Sequence, residues 1–147
     1  MRKEYLKILE CVGHGFWEWN PLGNRIILSP QWVTMLGYEF EAFEQTKERW
    51  MSLIHPEDLN YCLNELTALL SGRIKHYQHQ HRMLCHDGSY KWVLDQAKVI
   101  AYNEDGYPTK VVGTHTDIHD LRAALEFHKN LSQQTNADRY VVAQKKH

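Results

Sequence analysis

The alternation of apolar and polar positions divides the chain into segments with two different periods. Tyr5, Leu6, Ile8, Leu9 and Val12 fall on one side of a short lead-in helix. Gly15-Phe16-Trp17-Glu18-Trp19-Asn20 alternates with aromatic residues, Pro21-Leu22-Gly23-Asn24 is turn-forming, and Arg25-Ile26-Ile27-Leu28 is β-prone, so these three read as a hairpin. Ser29-Pro30 starts a short helix, with the serine as cap and the proline where no amide is needed, and Gly37 ends it. Residues 41–54 predict two further short helical pieces. His55-Pro56-Glu57-Asp58 opens the clearest helix, in which Leu59, Cys62, Leu63, Leu66, Leu69 and Leu70 recur every three or four positions up to Gly72.

Beyond Gly72 the period falls to two. Residues 74–85, 89–102 and 108–118 are strand candidates, separated by Asp87-Gly88 and by Asn103-Glu104-Asp105-Gly106, both strong hairpin turns. Two strands, a run of helices and three sequential strands predict an α+β fold. Its five-stranded antiparallel sheet carries helices on one face. From Asp117 the pattern is helical again: Ile118, Leu121, Leu125 and His128 make one seam, and Ala124, Phe127 and Leu131 a second beside it. Residues 132–147 lose the pattern and are expected to be a polar, mobile tail. The domain division is therefore 1–12 (flanking helix), 13–118 (domain) and 119–147 (linker helix and tail).

Composition changes the picture mainly by exclusion. The 147 residues hold 17 basic and 18 acidic side chains, interleaved, which leaves no electrostatic footprint for nucleic acid. Apolar runs are far shorter than the roughly 20 residues a membrane helix needs, so direct membrane insertion is not expected. Three cysteines without C-x-x-C spacing favour neither a disulfide framework nor a thiolate zinc site, and point to a reducing cytoplasm.

Several segments, taken in order, resemble one family. Gly15-Phe16-Trp17-Glu18-Trp19-Asn20, Leu28-Ser29-Pro30, Met35-Leu36-Gly37-Tyr38, Ile54-His55-Pro56-Glu57-Asp58-Leu59, Asp87-Gly88-Ser89-Tyr90-Lys91-Trp92-Val93 and Gly113-Thr114-His115-Thr116-Asp117-Ile118 are similar to PAS domains of bacterial sensor kinases and cyclic-di-GMP enzymes. His119 stands where that family's closing motif usually has threonine. The resemblance covers residues 10–120. It implies a sensory module without catalysis of its own, acting as a homodimer and passing its state to a C-terminal effector, a histidine kinase or a diguanylate cyclase. The chain shows no Gly-Gly-Asp-Glu-Phe segment, nucleotide loop or phosphoacceptor context.

Candidate chemistry lies between sheet and helices. Strand phase turns Tyr77, His79, His81, Met83 and Val93 towards the helical cover, with Met35, Leu36 and Tyr38 joining from the first helix, to line a pocket for a small ligand. Trp17 and Trp19 share one face of the first strand, but the sequence does not say which. His76 points away from His79 and His81, and two histidines are too few for a metal site unless a carboxylate or a third histidine arrives from another element. The ligand is unknown. The flavin photosensor motif around a reactive cysteine is missing, and residues 56–72 offer no histidine for haem, so the residues argue against both cofactors. Asp117, Ile118, Leu121 and Leu125 are the expected signal relay. Leu6 and Leu9, with Trp92, Leu94 and Ile100 on the outer sheet face, are the expected dimer contact. Two rival readings remain open: a small standalone enzyme using His79 and His81, with or without metal, and a ligand-free dimer scaffold.

Overall fold

The computed structural model of the chain describes residues 2–11 and 13–145. A lead-in helix α1 (Arg2–Cys11) precedes β1 (His14–Trp19) and β2 (Ile26–Leu28). Three helices follow: α2 (Pro30–Thr34), α3 (Lys47–Leu53) and α4 (Pro56–Leu70). Then come β3 (His76–Leu84), β4 (Tyr90–Tyr102), β5 (Pro108–Asp117) and a terminal helix α5 (His119–Lys145). The strands form one antiparallel sheet in the order β2-β1-β5-β4-β3. The segment from β2 to β3 therefore has to travel from one sheet edge to the other, and it carries α2, α3 and α4 across one face on the way.

Residues 1–117 and 118–147 are two compact units. In the first, the inward rows alternate cleanly: Gly15, Trp17 and Trp19 on β1, Tyr77, His79, His81 and Met83 on β3, Val93, Asp95 and Ala97 on β4, and Val111, Gly113 and His115 on β5 are buried. Two glycines let a helix backbone and an indole ring close onto this layer. A Cβ on Gly15 would lie 2.6 Å from the Trp32 backbone, and one on Gly113 would collide with the Trp17 indole and the Gln96 carbonyl. These positions accept α2 and the Trp17 ring only because they lack side chains.

Local chemistry sets the helix ends. Thr46 caps α3 by accepting from Arg49 N at 3.2 Å, and the His55 ring caps α4 by accepting from Glu57 N at 3.1 Å. Gly37 and Gly72 take φ values of 86° and 81° where α2 and α4 run out, a left-handed stop that suits glycine. Asp58 in the first turn of α4 accepts from the backbone and guanidinium of Arg82 on β3 at 2.9–3.0 Å, which pins the helix to the sheet edge.

Three expectations need correction. Ser29 does not cap α2 with its hydroxyl, which instead accepts from Phe16 N at 2.8 Å and ties the helix start to β1. Residues 41–54 hold one helix rather than two, because the backbone before α3 is committed to the edge of β2: Ile26 N donates to Gln45 O and Leu28 N to Gln45 Oε1. Residues 132–145 continue α5 as helix, since nothing from 119 to 145 is glycine or proline. Its 27 residues leave Leu121, Leu125, Phe127, Leu131, Tyr140 and Val141 exposed. The apolar seams fade because no core imposes them.

Candidate functional site

Cross-strand register builds a polar row in the middle of an apolar layer. Asp95 pairs with His79 on one side and with His115 on the other, and Gly15 continues the row on β1. His81 stands two residues along β3 on the same face, and Tyr77 two residues the other way. Asp95 and His81 are 0% exposed and His115 is 1% exposed. Cys62, also buried, reaches the same region from α4, its sulfur within 4.8 Å of a ring nitrogen of both His79 and His81.

Few of these groups satisfy one another. The Tyr77 hydroxyl donates to Asp95, 3.3 Å from each carboxylate oxygen, and His115 Nε2 lies 3.2 Å from Asp95 Oδ2. That last pair has ion-pair distance without hydrogen-bond alignment, so Nε2 stays unbonded. Among the described residues, His79 Nδ1, both nitrogens of His81 and both of His115 are buried without a hydrogen-bond partner. Each unsatisfied buried group costs about 1–3 kcal/mol. Ring contacts hold the imidazoles in place: His79 and His81 centroids are 5.3 Å apart, His81 and His115 5.5 Å, and Trp32 lies against His115 at 5.1 Å.

The electrostatics follow from burial. Burial pushes His81 down to about 3, against the opposing pull of Asp95, and pushes His79 down as well. Burial drives the Asp95 carboxyl up, but the adjoining His115 imidazole, helped by His81 and His79, outweighs it and holds Asp95 below its ordinary value. The Tyr77 phenol is pushed well up by burial and by the Asp95 charge. Burial pushes the Cys62 thiol up to about 12, which leaves it protonated and unreactive as a nucleophile.

A cavity of about 20 Å³ adjoins the row, lined by Trp17, Trp19, Trp32, Trp50 and Tyr77, with Lys47 at 5.2 Å over the Trp19 ring. This is space for one water rather than for a cofactor of several rings. The indole N–H of Trp19 donates to Gly23 O at 2.9 Å, while those of Trp17 and Trp32 are buried without partners.

Of the pocket residues expected from sequence, Trp17, Trp19 and Tyr77 line this cavity, and His79 and His81 form part of the polar row. Met83, Val93 and Leu36 are fully buried in the apolar core. Met35 and Tyr38 are half-buried and pack against the edge of the core without lining this cavity. The inward face of α2 is spent on Trp32 and Val33, and the chain turns away at Gly37. Met35 instead gives its carbonyl to Lys91 Nζ at 2.8 Å, and the Tyr38 hydroxyl donates to Leu84 O at 3.0 Å beside Phe43 and His86. Asp95 and His115 were missed. Asp95 is two residues from Val93, already assigned inward, so strand phase alone carried the signal for it.

On the outer face, Trp92 and Leu94 are half-buried and Ile100 is exposed. The Leu9 side chain borders a shallow groove with Phe16, Gln96, Val112 and Thr114, whereas the Leu6 side chain lies outside the described residues. Asp117, at the end of β5, pairs with Lys91 at 3.1 Å. Ile118 leads into α5, where Leu121 and Leu125 are 59% and 60% exposed. Among the described residues no helix is long and apolar enough to cross a membrane.

A five-stranded antiparallel sheet with its helices inserted between the second and third strands, and with its buried polar row on the covered face, defines a small α+β domain. The sequence profile of the PAS fold family matches residues 25–115. The chain belongs to that family. Among curated proteins it is 28% identical over 98 residues to the probable diguanylate cyclase DgcE of Escherichia coli, covering 67% of this chain but 9% of that protein. The chain thus spans about a tenth of that relative. Among solved structures, a sensory box histidine kinase/response regulator from Burkholderia thailandensis superposes with a TM-score of 0.77 at 23% identity, covering 91% of this chain and 98% of that one. The N-terminal domain of a diguanylate cyclase with PAS/PAC sensor from Marinobacter aquaeolei gives 0.65 at 23% identity, covering 74% and 98%. These likenesses establish the fold.

Proposed function

We propose that the chain is a non-catalytic cytoplasmic signal-input domain, working as a homodimer, that passes the state of its inner face through Asp117, Ile118, Leu121 and Leu125 to a C-terminal effector of the histidine kinase or diguanylate cyclase type. One observation carries this reading. His115, which stands unsatisfied in the buried row, lies on the strand that ends two residues later at Asp117 and continues into α5. A change in what the row binds therefore acts on the strand covalently joined to the terminal helix. A population shift needs such differential contact at one end and an element to carry it at the other. The enzyme reading has less support, because the cavity beside the buried row has room for about one water and the Cys62 thiol next to it is held protonated.

Native mass spectrometry of the purified chain, together with hydrogen exchange, tests the proposal. Twice the chain mass, with His115→Gln altering exchange across residues 116–131, is the expected result. Unchanged exchange there would remove the relay, and a monomer would remove the dimer. A dimer with no added mass and no change in exchange would favour the ligand-free scaffold.

A further inference from the structure

Three neighbouring strands bring one nitrogen of His81, one carboxylate oxygen of Asp95 and one nitrogen of His115 within 4.8 Å of one another, all on buried side chains. We infer that this triad binds a single divalent transition-metal ion of the zinc type, through two imidazoles and one carboxylate. The donor set is the kind zinc and its neighbours select, borderline nitrogen together with hard oxygen. Tetrahedral zinc places such ligand atoms roughly 3.3–3.6 Å apart, given bonds of about 2.0–2.2 Å. Closing from 4.8 Å takes a modest side-chain rotation.

Two further features point to an ion rather than to an ordinary core. Among the described residues, both nitrogens of His81 and both of His115 lack a hydrogen-bond partner, and only His115 Nε2 has a charged neighbour, Asp95 Oδ2 at 3.2 Å, so the triad holds ring nitrogens that the fold leaves unbonded. Asp95 is fully buried, with a tyrosine hydroxyl and the His115 imidazole as its near polar neighbours, and a divalent cation held by the same imidazoles would set a full positive charge against that carboxylate. An apolar trio in the same volume would pack at lower cost. Tyr77 sits where an outer partner would orient the carboxylate. Cys62 and His79, which form an overlapping group with His81 inside the same 4.8 Å limit, are the candidates for a fourth ligand. The strands are hydrogen-bonded neighbours, so the three ligand positions are fixed without relying on a loop.

The inference takes the inner-face row as the input site, as the reading above does, and gives it an occupant. The probe is Co2+, then Zn2+, added to the chelator-treated full chain. Uptake of one equivalent of Co2+ with visible d–d absorption, displacement by Zn2+ and a raised thermal midpoint are expected. Asp95→Asn and His115→Gln should each weaken binding by at least about tenfold, since even loss of an outer partner costs 10–100-fold. A control changing exposed His76 and His128 to glutamine should bind as the parent does, which separates the triad from surface histidines. If the triad variants do not fold, imidazole 15N shifts of the unaltered protein on Zn2+ addition give the same decision, with His81 and His115 moving and His128 not. No uptake, binding that survives both triad variants, or shifts confined to other histidines would overturn the metal site. Binding with no change in hydrogen exchange over residues 118–131 would overturn the relay while leaving the metal site standing.

Discussion

Asp95 lies directly across the β4–β5 ladder from His115, its Oδ2 3.2 Å from the ring Nε2, and neither side chain is more than 1% exposed. Removing one member strands the other. Asp95→Ala leaves the Tyr77 hydroxyl without an acceptor and removes the charge facing His115 inside a closed layer, and should cost about 3 kcal/mol or more, the scale for breaking a buried pair. Urea unfolding followed by far-UV circular dichroism measures it, and a loss below about 1 kcal/mol would mean that the pair does not act as a unit.

Acid should weaken the metal-free protein before any surface carboxylate titrates. His81 takes a proton near 6.5 when unfolded and near about 3 when folded, where Asp95, Asp58, His79 and His115 surround it. Between those values the unfolded state holds the extra proton, so stability rises with pH, by up to about 1.4 kcal/mol per unit. Lowering the pH from 7 to 5 should remove about 2 kcal/mol, and raising it from 7 to 9 should change nothing through this residue. His81→Phe should flatten the slope. Urea midpoints collected between pH 5 and 9 in the presence of chelator test this.

The two glycines that admit tryptophan should be intolerant of a methyl group. Gly113→Ala would press into the Trp17 ring and the Gln96 carbonyl, and Gly15→Ala into the Trp32 backbone. Either should cost about 1–3 kcal/mol, the usual penalty for overpacking. A shift in tryptophan emission should accompany the loss for Gly113→Ala, whose clash is with a ring. Thermal melts that match the parent would show that the sheet and α2 can move apart freely.

Asp58 should act as a fastener between α4 and β3. Its carboxylate is held below the ordinary value chiefly by hydrogen bonds from the Arg82 side chain, so its contribution is complete above about pH 4 and is lost as the pH falls through the folded value. Asp58→Ala should cost about 1–2 kcal/mol, a range kept low because solvent reaches the pair. Faster amide exchange at the start of α4 and at Arg82, with β5 unaffected, is the expected pattern.

Leu121 and Leu125 should matter for association rather than for folding of residues 1–117. Both are more than half exposed, so the double change to lysine should alter the stability of that unit by less than about 0.5 kcal/mol. Sedimentation of the variant should show weakened self-association. A dimer of unchanged strength would move the interface elsewhere, with the groove beside Leu9 on the outer face next in line.

Much of the scaffold was legible in the sequence because its signals are local. The turn at Asp87-Gly88, the Gly72 stop, and the switch from a period near 3.6 to a period of two each depend on a few neighbouring residues. The inward phase of His79, His81 and Val93 came from the same alternation. Met35 and Tyr38 pack at the margin of the core rather than in the cavity, a distinction that a helix ending at Gly37 does not carry past its last turn. The backbone before α3 was read as helix because the demand made on it by the β2 edge comes from twenty residues away.

The sequence by itself determined the element order, the α+β class and the face on which the histidines of β3 point. Only the tertiary structure decided that His79, Asp95 and His115 share one row, that His81 stands beside them, and that Gly15 admits the α2 backbone and Gly113 the Trp17 indole. The physical reason is that periodicity is a property of one segment. Register and layer packing instead depend on which residues of distant segments are brought opposite one another, and shifting a strand by a single residue would turn the whole row to the other face.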